Sequence, residues 1–558
     1  MTGENTVGVD SQLESKTGAI ASSQLALDGG MAVEGAGAIG TNLVTHATGN
    51  IGQTDVAIGD KLTAKGMDAS GFMLSQISGG HLGAVNAAVD GALWAEGEFA
   101  TGMSLAGSGV RGVERLSVSI AGSAPDENSD TATEKLGLVA SGSEASALVV
   151  IVDSAAGSIG SSDIIIDGAV AAIGSSASGL SASYSADESI ADQAVIIAGG
   201  VQAEGEGANG ISLLSAAGSI GASEIIIDGA VGAIGKSASG LSVSYRADES
   251  IADQAVNIAG SVQAQGEDAK GISLLSAAGT DLGSQAVVLD GDLVALSKDS
   301  EVLRIGGEAG DSLSNLSVEV SGLVGAAGDN ASAIALTRNG RLAGDVQLST
   351  GGAVFASGSD ATGVYLASQS SLTVAESKLE FNSFVEVAGQ AAQGIVVESQ
   401  SLSGTQSTLV SVNENVTVVG QGAAGIVVRE QIAEGSAEIQ VETGGDIIVG
   451  AADAFGIESA SSARTSTAYV TVEGNLLVVG AGSTGIRLKS GSQVSSQLSA
   501  AVSGELDVVG DSAQGIELTT SGEGITSNRL NVSKEVSANG TNASAIAVLN
   551  EGASTGNT

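Results

Sequence analysis

Several things are scarce in this 558-residue sequence, and each scarcity excludes something. There is no cysteine, which rules out a disulfide framework or a thiolate metal centre. There is one proline and one tryptophan, and aromatic residues make up only 2% of the chain. An irregular globular core of this size normally relies on Phe, Tyr and Trp to fill its volume, so a conventional globule is disfavoured. Basic residues number 20 against 63 acidic ones, a formal net charge of −43. Phosphate backbones and anionic membrane surfaces would be repelled, so nucleic acid is excluded as a partner. No run of 18 apolar residues occurs, so membrane insertion by this chain is not expected. The opening MTGENTVGVDSQLESKTGAIASSQ has no basic region followed by an apolar run, and no signal peptide is predicted within it.

What is abundant is glycine, 83 residues, together with 43% hydrophobic residues that are almost entirely Ala, Val, Ile and Leu. Glycine at this level accompanies disorder in polar chains, but the Ile and Val content opposes that outcome here. Small and β-branched residues suit a thin, regular interior. A phrase explains the glycine: GEGANGISLL at 205–214 returns as GEDAKGISLL at 266–275. Generalised to Gly-x-x-Ala-x-Gly before an apolar strand start, its second Gly or a substitute falls at Gly40, Gly71, Gly102, Ala147, Gly179, Gly210, Gly240, Gly271 and Val302. It continues at Ala333, Gly363, Gly394, Gly425, Gly456, Gly485, Gly515 and Ala545. These 17 copies are 29–32 residues apart, except for 45 between Gly102 and Ala147. Residues 155–215 also match 216–276 at 50 of 61 positions, a duplication of two repeat units.

Within a unit, runs such as IVVES, STLVSV and NVTVVG alternate apolar and polar residues with period two, as half-buried strands do. Helical repeats would not tolerate this much glycine, and the leucine-rich signature and the four-stranded blade pattern are missing. The expected fold is therefore all-β: a parallel β-solenoid (a β-helix) of about 17 coils of 30–31 residues, three short strands each. The crossover rule makes it right-handed. At about 4.8 Å per coil the rod would be on the order of 80 Å long. The expected organisation is a polar N-terminal segment or cap at 1–20, one continuous solenoid over 21–550 and a polar tail at 551–558. In the joint, the first Gly would take a positive φ at a corner, the Ala would point inward, and the second Gly would release the chain into the strand. The intervening residues would vary because they face water.

A search for chemistry finds little. The long interval holds GSAPDENSDTATEKLG at 122–137, with Pro125, Asp126, Glu127, Asp130 and Glu134, read as an acidic surface insertion. His46 and His81, the only histidines, lie roughly one coil apart and would stack along one face, but nothing completes a metal shell around them. GDSLS at 310–314 has the form of an esterase nucleophile motif centred on Ser312, yet no histidine follows it. Tyr184 and Tyr245, in SYSADES and SYRADES, are expected to stack two coils apart as structural residues, and Trp94 stands alone. Polysaccharide-cleaving β-helices need clustered carboxylates and aromatic platforms, whereas the acids here are scattered at turns. No catalytic, cofactor-binding or metal-ligating residue is assigned and no enzyme is expected. The acidity leaves room for weak divalent-cation binding, such as Ca²⁺.

Phrases such as VVGQGAAGIVV (418–428) and VVGDSAQGIEL (508–518) resemble the coils of bacterial autotransporter (type V secretion) passenger domains, and the likeness runs over about residues 20–550. The resemblance implies a cell-surface or secreted β-helix, and the lack of cysteine is similar to passengers that cross the outer membrane unfolded. The chain departs from that pattern in showing neither a signal peptide nor a translocator barrel, so it would be a processed passenger, a fragment or a relative exported differently. The expected role is a non-enzymatic structural or adhesive surface protein acting as stalk, spacer or adhesin. Its partners would be host, neighbouring-cell or matrix ligands. The alternative is a self-assembling subunit of an extracellular filament or sheath, through end-to-end or side-by-side association. A polysaccharide-active enzyme comes third.

Overall fold

Every strand of the chain is short of partners within its own coil, and the next coil supplies them. The computed structural model describes residues 3–122, 136–374, 376–522 and 525–550. Among these there is no helix, and parallel strands stack into a β-solenoid of about 17 turns. The chain packs as two compact units, Met1–Gly283 and Ser284–Thr558.

In the first unit a coil consists of a nine-residue strand, a second strand of eight residues (often broken into two pieces) and a third of four or five. One such coil runs Ser178–Ala186, then Ser189–Ile190 and Gln193–Ile197, then Val201–Glu204. Alternation decides the faces: Leu180, Ala182 and Tyr184 are buried while Ser181, Ser183 and Ser185 are not. Register is in step from coil to coil, giving columns such as Leu148, Leu180, Ile211, Leu241 and Ile272. Each fully buried aliphatic side chain in such a column contributes roughly 1.5–3 kcal/mol. Strand pairing already begins inside the polar segment 1–20, where Val7–Ser15 pairs with Ile39–Ala47.

The second unit keeps this plan, and in two of its coils the first two strands run together. Gln393–Val412 and Ala424–Thr443 are each 20 residues long and pair along nearly their whole length. The degraded joint at Val302 is no interruption: Val302 is buried and Glu301–Ala309 forms the regular nine-residue strand.

The recurrent joint is a turn with three separate steric demands. Its first Gly takes a φ of 127° to 138° at Gly66, Gly97, Gly142, Gly174, Gly205, Gly235 and Gly266, as expected, whereas Gly328, Gly358, Gly389 and Gly420 of the second unit do not adopt a positive φ. The Ala points inward and is fully buried at Ala69, Ala100, Ala177, Ala208, Ala238 and Ala269. The second Gly has a different role from the one expected. A Cβ on Gly179 would overlap both Val170 Cγ1 and the Gly210 carbonyl, so close approach selects glycine there. The third residue of the joint is also constrained. Asp68, Ser176, Ser237, Asp268, Asp299, Asn330, Asp360 and Asp453 all sit at φ 54° to 58°, the left-handed region that Asp and Asn tolerate best. The position also holds Phe99, Glu144 and Ala391 at φ 52° to 57°, so its variation reflects backbone conformation as well as exposure to water.

Candidate functional site

Two polar assemblies rise above the regular stack, one inside the solenoid and one on its outer face. The inner one begins with the duplicated tyrosines. Tyr184 registers with Ser215, Ser215 with Tyr245, and Tyr245 with Ser276, so the tyrosines share a column two coils apart. The opposite wall carries Ser162, Gln193, Ser223 and Gln254 in one column. Large faces small across the lumen in each coil. The Tyr184 hydroxyl bonds Ser162 Oγ at 2.6 Å, and Ser215 Oγ donates to Gln193 Oε1 at 2.9 Å. Tyr245 bonds Ser223, and Ser276 Oγ donates to Gln254 Oε1 at 2.8 Å. Burial pushes the Tyr184 phenol up to about 12 and raises that of Tyr245 as well, so both are neutral donors or acceptors. The two-coil duplication therefore repeats a complementary pair of polar rungs.

In the second unit the equivalent inner column carries charge. Arg338, Ser368, Ser399 and Glu430 follow one another in register. Arg338 is 2% exposed and donates through Nη1 to the Gly344 and Asp345 carbonyls at 2.9 and 3.3 Å, and through Nη2 to the Ser314 carbonyl. Burial lowers its pKa to about 10, with Asp345 opposing the shift. Glu430 is 1% exposed, and both carboxyl oxygens lack a well-formed hydrogen bond. Burial pushes this carboxyl up to about 8, Thr408 pulling it down and Glu438 adding to the rise.

The outer assembly lies on the first-strand face of the second unit. Tyr365, Val396, Val427, Glu458, Arg487 and Glu517 form one outward column. Val396 and Val427 are buried although they face outward, because Tyr365 and Phe455 pack over them with Ala424. Around this patch the signs alternate. Arg429 bridges Glu398 at 2.9 Å and Glu458 at 3.2 Å, and Arg487 joins Glu458 to Glu517. The Arg487 guanidinium also lies 4.1 Å from the Phe455 ring centre, and the Tyr365 hydroxyl donates to Glu398 at 3.2 Å. The rings and charges are engaged with one another, so the strip braces six coils. Such partly exposed ion pairs are worth about 0.2–1 kcal/mol each.

The residues singled out from sequence are dispersed. His46 is exposed and registers with Glu14 and Ile77, while His81 occupies a corner where its backbone N–H donates to Asn50 Oδ1 at 2.9 Å. The expected histidine stack is absent, because the four-residue offset puts one on a strand and the other in a turn. Among the described residues there is no group of three or more His, Cys, Asp or Glu that could hold a metal. Ser312 lies in a two-residue strand registered with Leu342, as part of the ladder. Trp94 faces outward from Leu93–Glu96 with the Lys61 ammonium 3.9 Å above its ring. Of the acidic insertion at 122–137, residues 123–135 lie outside the described residues. Sequence reading missed Arg338 and Glu430, although period two from Ile334 and Leu336, and from Ile426 and Val428, places both on the inner face.

No family model matches the chain, and no curated protein or solved structure matches it either.

Proposed function

We propose that the chain is a non-enzymatic structural protein of a bacterial surface, a stiff β-solenoid spacer that holds contacts away from the cell. One observation carries this reading: the polar side chains are used to join coil to coil. Corner residues accept the amide of the following coil, as Asp192 does from Ala222 at 3.1 Å, Asn415 from Asp446 at 2.7 Å and Asp511 from Thr541 at 2.8 Å. Lumenal hydroxyls and amides bond across the interior, and the outer charges pair along it. Chemistry spent on stacking yields rigidity, and the net charge of −43 favours solubility and mutual repulsion of neighbours. The similarity of its repeats to autotransporter passengers supports a surface location, and adhesion to cell or matrix ligands is part of the same reading.

A filament subunit is the second reading. Val7, Val9 and Leu13 on the first described strand, and Ile546, Val548 and Leu549 on the last, are exposed apolar residues of the kind a second copy would cover. Electron microscopy of the purified protein separates the two. Isolated particles of one size support the spacer, and fibres support the subunit. Cleavage of an acidic polysaccharide by the purified chain would overturn both.

A further inference from the structure

The lumen between Ser368 and Glu430 is polar on both walls and poorly bonded. Ser368, Ser399 and Glu430 stack on one wall, and Ser377 and Thr408 stack on the other. Two sequence offsets identify what faces what. The bonded pairs of the first unit, Ser162–Tyr184, Gln193–Ser215, Ser223–Tyr245 and Gln254–Ser276, are all 22 residues apart. Ser377–Ser399 and Thr408–Glu430 share that offset. Ser466–Ser490 and Thr526–Asn550, bonded at 3.1 and 3.0 Å, are 24 apart, which is also the offset of Gln406 from Glu430. Glu430 therefore faces Thr408 and Gln406.

The span across the lumen at the 22-residue offset is closed by a phenol or an amide in the first unit. Two serines cannot close it. Ser377 Oγ and Ser399 Oγ are left apart in this way, and Ser368 Oγ, Thr408 Oγ1, both polar atoms of Gln406 and both carboxyl oxygens of Glu430 are likewise buried without a well-formed partner among the described atoms. Eight such atoms within three coils are far outside what a dry interior tolerates. Water satisfies donors and acceptors alike and makes about three hydrogen bonds per buried molecule.

We propose that this stretch of lumen is a sealed, hydrated chamber in which Glu430 remains an undissociated acid, so that the fold of Gln393–Thr443 is coupled to one bound proton. The surrounding charges favour that state. Glu398 on the preceding strand, Arg429, Glu434, Glu438 and Glu442 on the same strand and Glu458 on the following one occupy outward or corner positions. Tyr469 projects from Thr465–Val472, and Arg338 sits three coils back, bonded to carbonyls. None of these brings a counter-ion into the chamber.

The sign of the coupling follows. The folded acid sits at about 8, above its ordinary value of 4.5. Through that window the unfolded chain releases the proton while the folded chain keeps it. Stability is therefore highest below about pH 4.5, falls as pH rises across the window, and levels off above about 8.

The test uses the full chain and Glu430→Gln, with Glu430→Leu serving the same comparison if the first variant misfolds. Between pH 4 and 9, the wild-type Tm should fall relative to the variant, with the divergence confined to about pH 5–8. At pH 7 an infrared carbonyl band of undissociated carboxylic acid should be present in the wild type and missing from the variant. Hydrogen exchange in 393–443 should quicken as that band titrates away. Parallel Tm profiles, or no acid band at pH 7, would overturn the proposal. So would a wild-type Tm that rises in sodium over choline at equal ionic strength while the variant's does not, since that outcome means an ionised Glu430 holding a metal cation.

Discussion

Between Ser162 and Ser276 of the first unit, each lumenal hydroxyl meets a phenol or an amide reaching from the other wall. In the second, Ser377 faces Ser399 and the two hydroxyls fail to meet, while Glu430 faces Thr408 and Gln406 with both carboxyl oxygens short of a well-formed bond. The two stretches share strand register and cross-lumen offset, so the difference lies in the side chains: two short hydroxyls at Ser377 and Ser399, and a carboxyl at Glu430 where the first unit places an amide or a phenol. Polar residues inside a solenoid are thus tolerated where lengths across the lumen are complementary, and they require water or a proton where they are not.

Substitutions can break that comparison. Tyr184→Ala removes a fully buried ring from the satisfied stretch and should cost about 3–5 kcal/mol in chemical denaturation, the largest effect foreseen among these changes. Ser162→Ala strands the Tyr184 hydroxyl and should cost about 1–3 kcal/mol. Ser399→Ala, which deletes a hydroxyl with no protein partner among the described residues and leaves its place to the chamber's water, should change stability by less than about 0.5 kcal/mol. If both serine variants cost the same, the contrast between the stretches is false. Arg487→Ala, which cuts the outer ladder and uncovers Phe455, should cost about 1 kcal/mol or less, and the loss should shrink in high salt.

How much of this was legible in the sequence depends on the range of the signal. The joint, its inward Ala and the strand alternation are local or strictly periodic, and the coil architecture follows from them. The stacking of Tyr184 over Tyr245 was legible because a 61-residue duplication equals two coils. Their partners Ser162 and Ser223 were not, because the 22-residue offset across the lumen is set by the turns between strands, which no pattern in the chain encodes. Glu430 was hidden for a different reason. The run VVREQI looks like a solvated break in an apolar strand, and only strict counting by twos places Glu430 inside while Arg429 stays out. The histidine stack failed because coil spacing alone ignores whether a residue falls on a strand or in a corner. The left-handed position at Asp68, Asp268 and Asn330 was read as variation from exposure when it was also conformation, and Phe99, Glu144 and Ala391 at the same position blur the residue preference that would have marked it.

The most direct test of the coil register uses the absence of cysteine as a clean background. Ser183 registers with Leu214 in the first unit and Gln400 with Gln431 in the second, outward on adjacent coils about 4.8 Å apart. The double variants Ser183→Cys/Leu214→Cys and Gln400→Cys/Gln431→Cys bring Cα atoms within disulfide range. Under mild oxidation both should close an intramolecular disulfide, read by mass, while Ser183→Cys/Gln202→Cys, whose second position lies on the separate strand Val201–Glu204 and registers with Gly232, should not. Failure of the registered pairs, or equal closure of the unregistered one, would contradict the stacked solenoid.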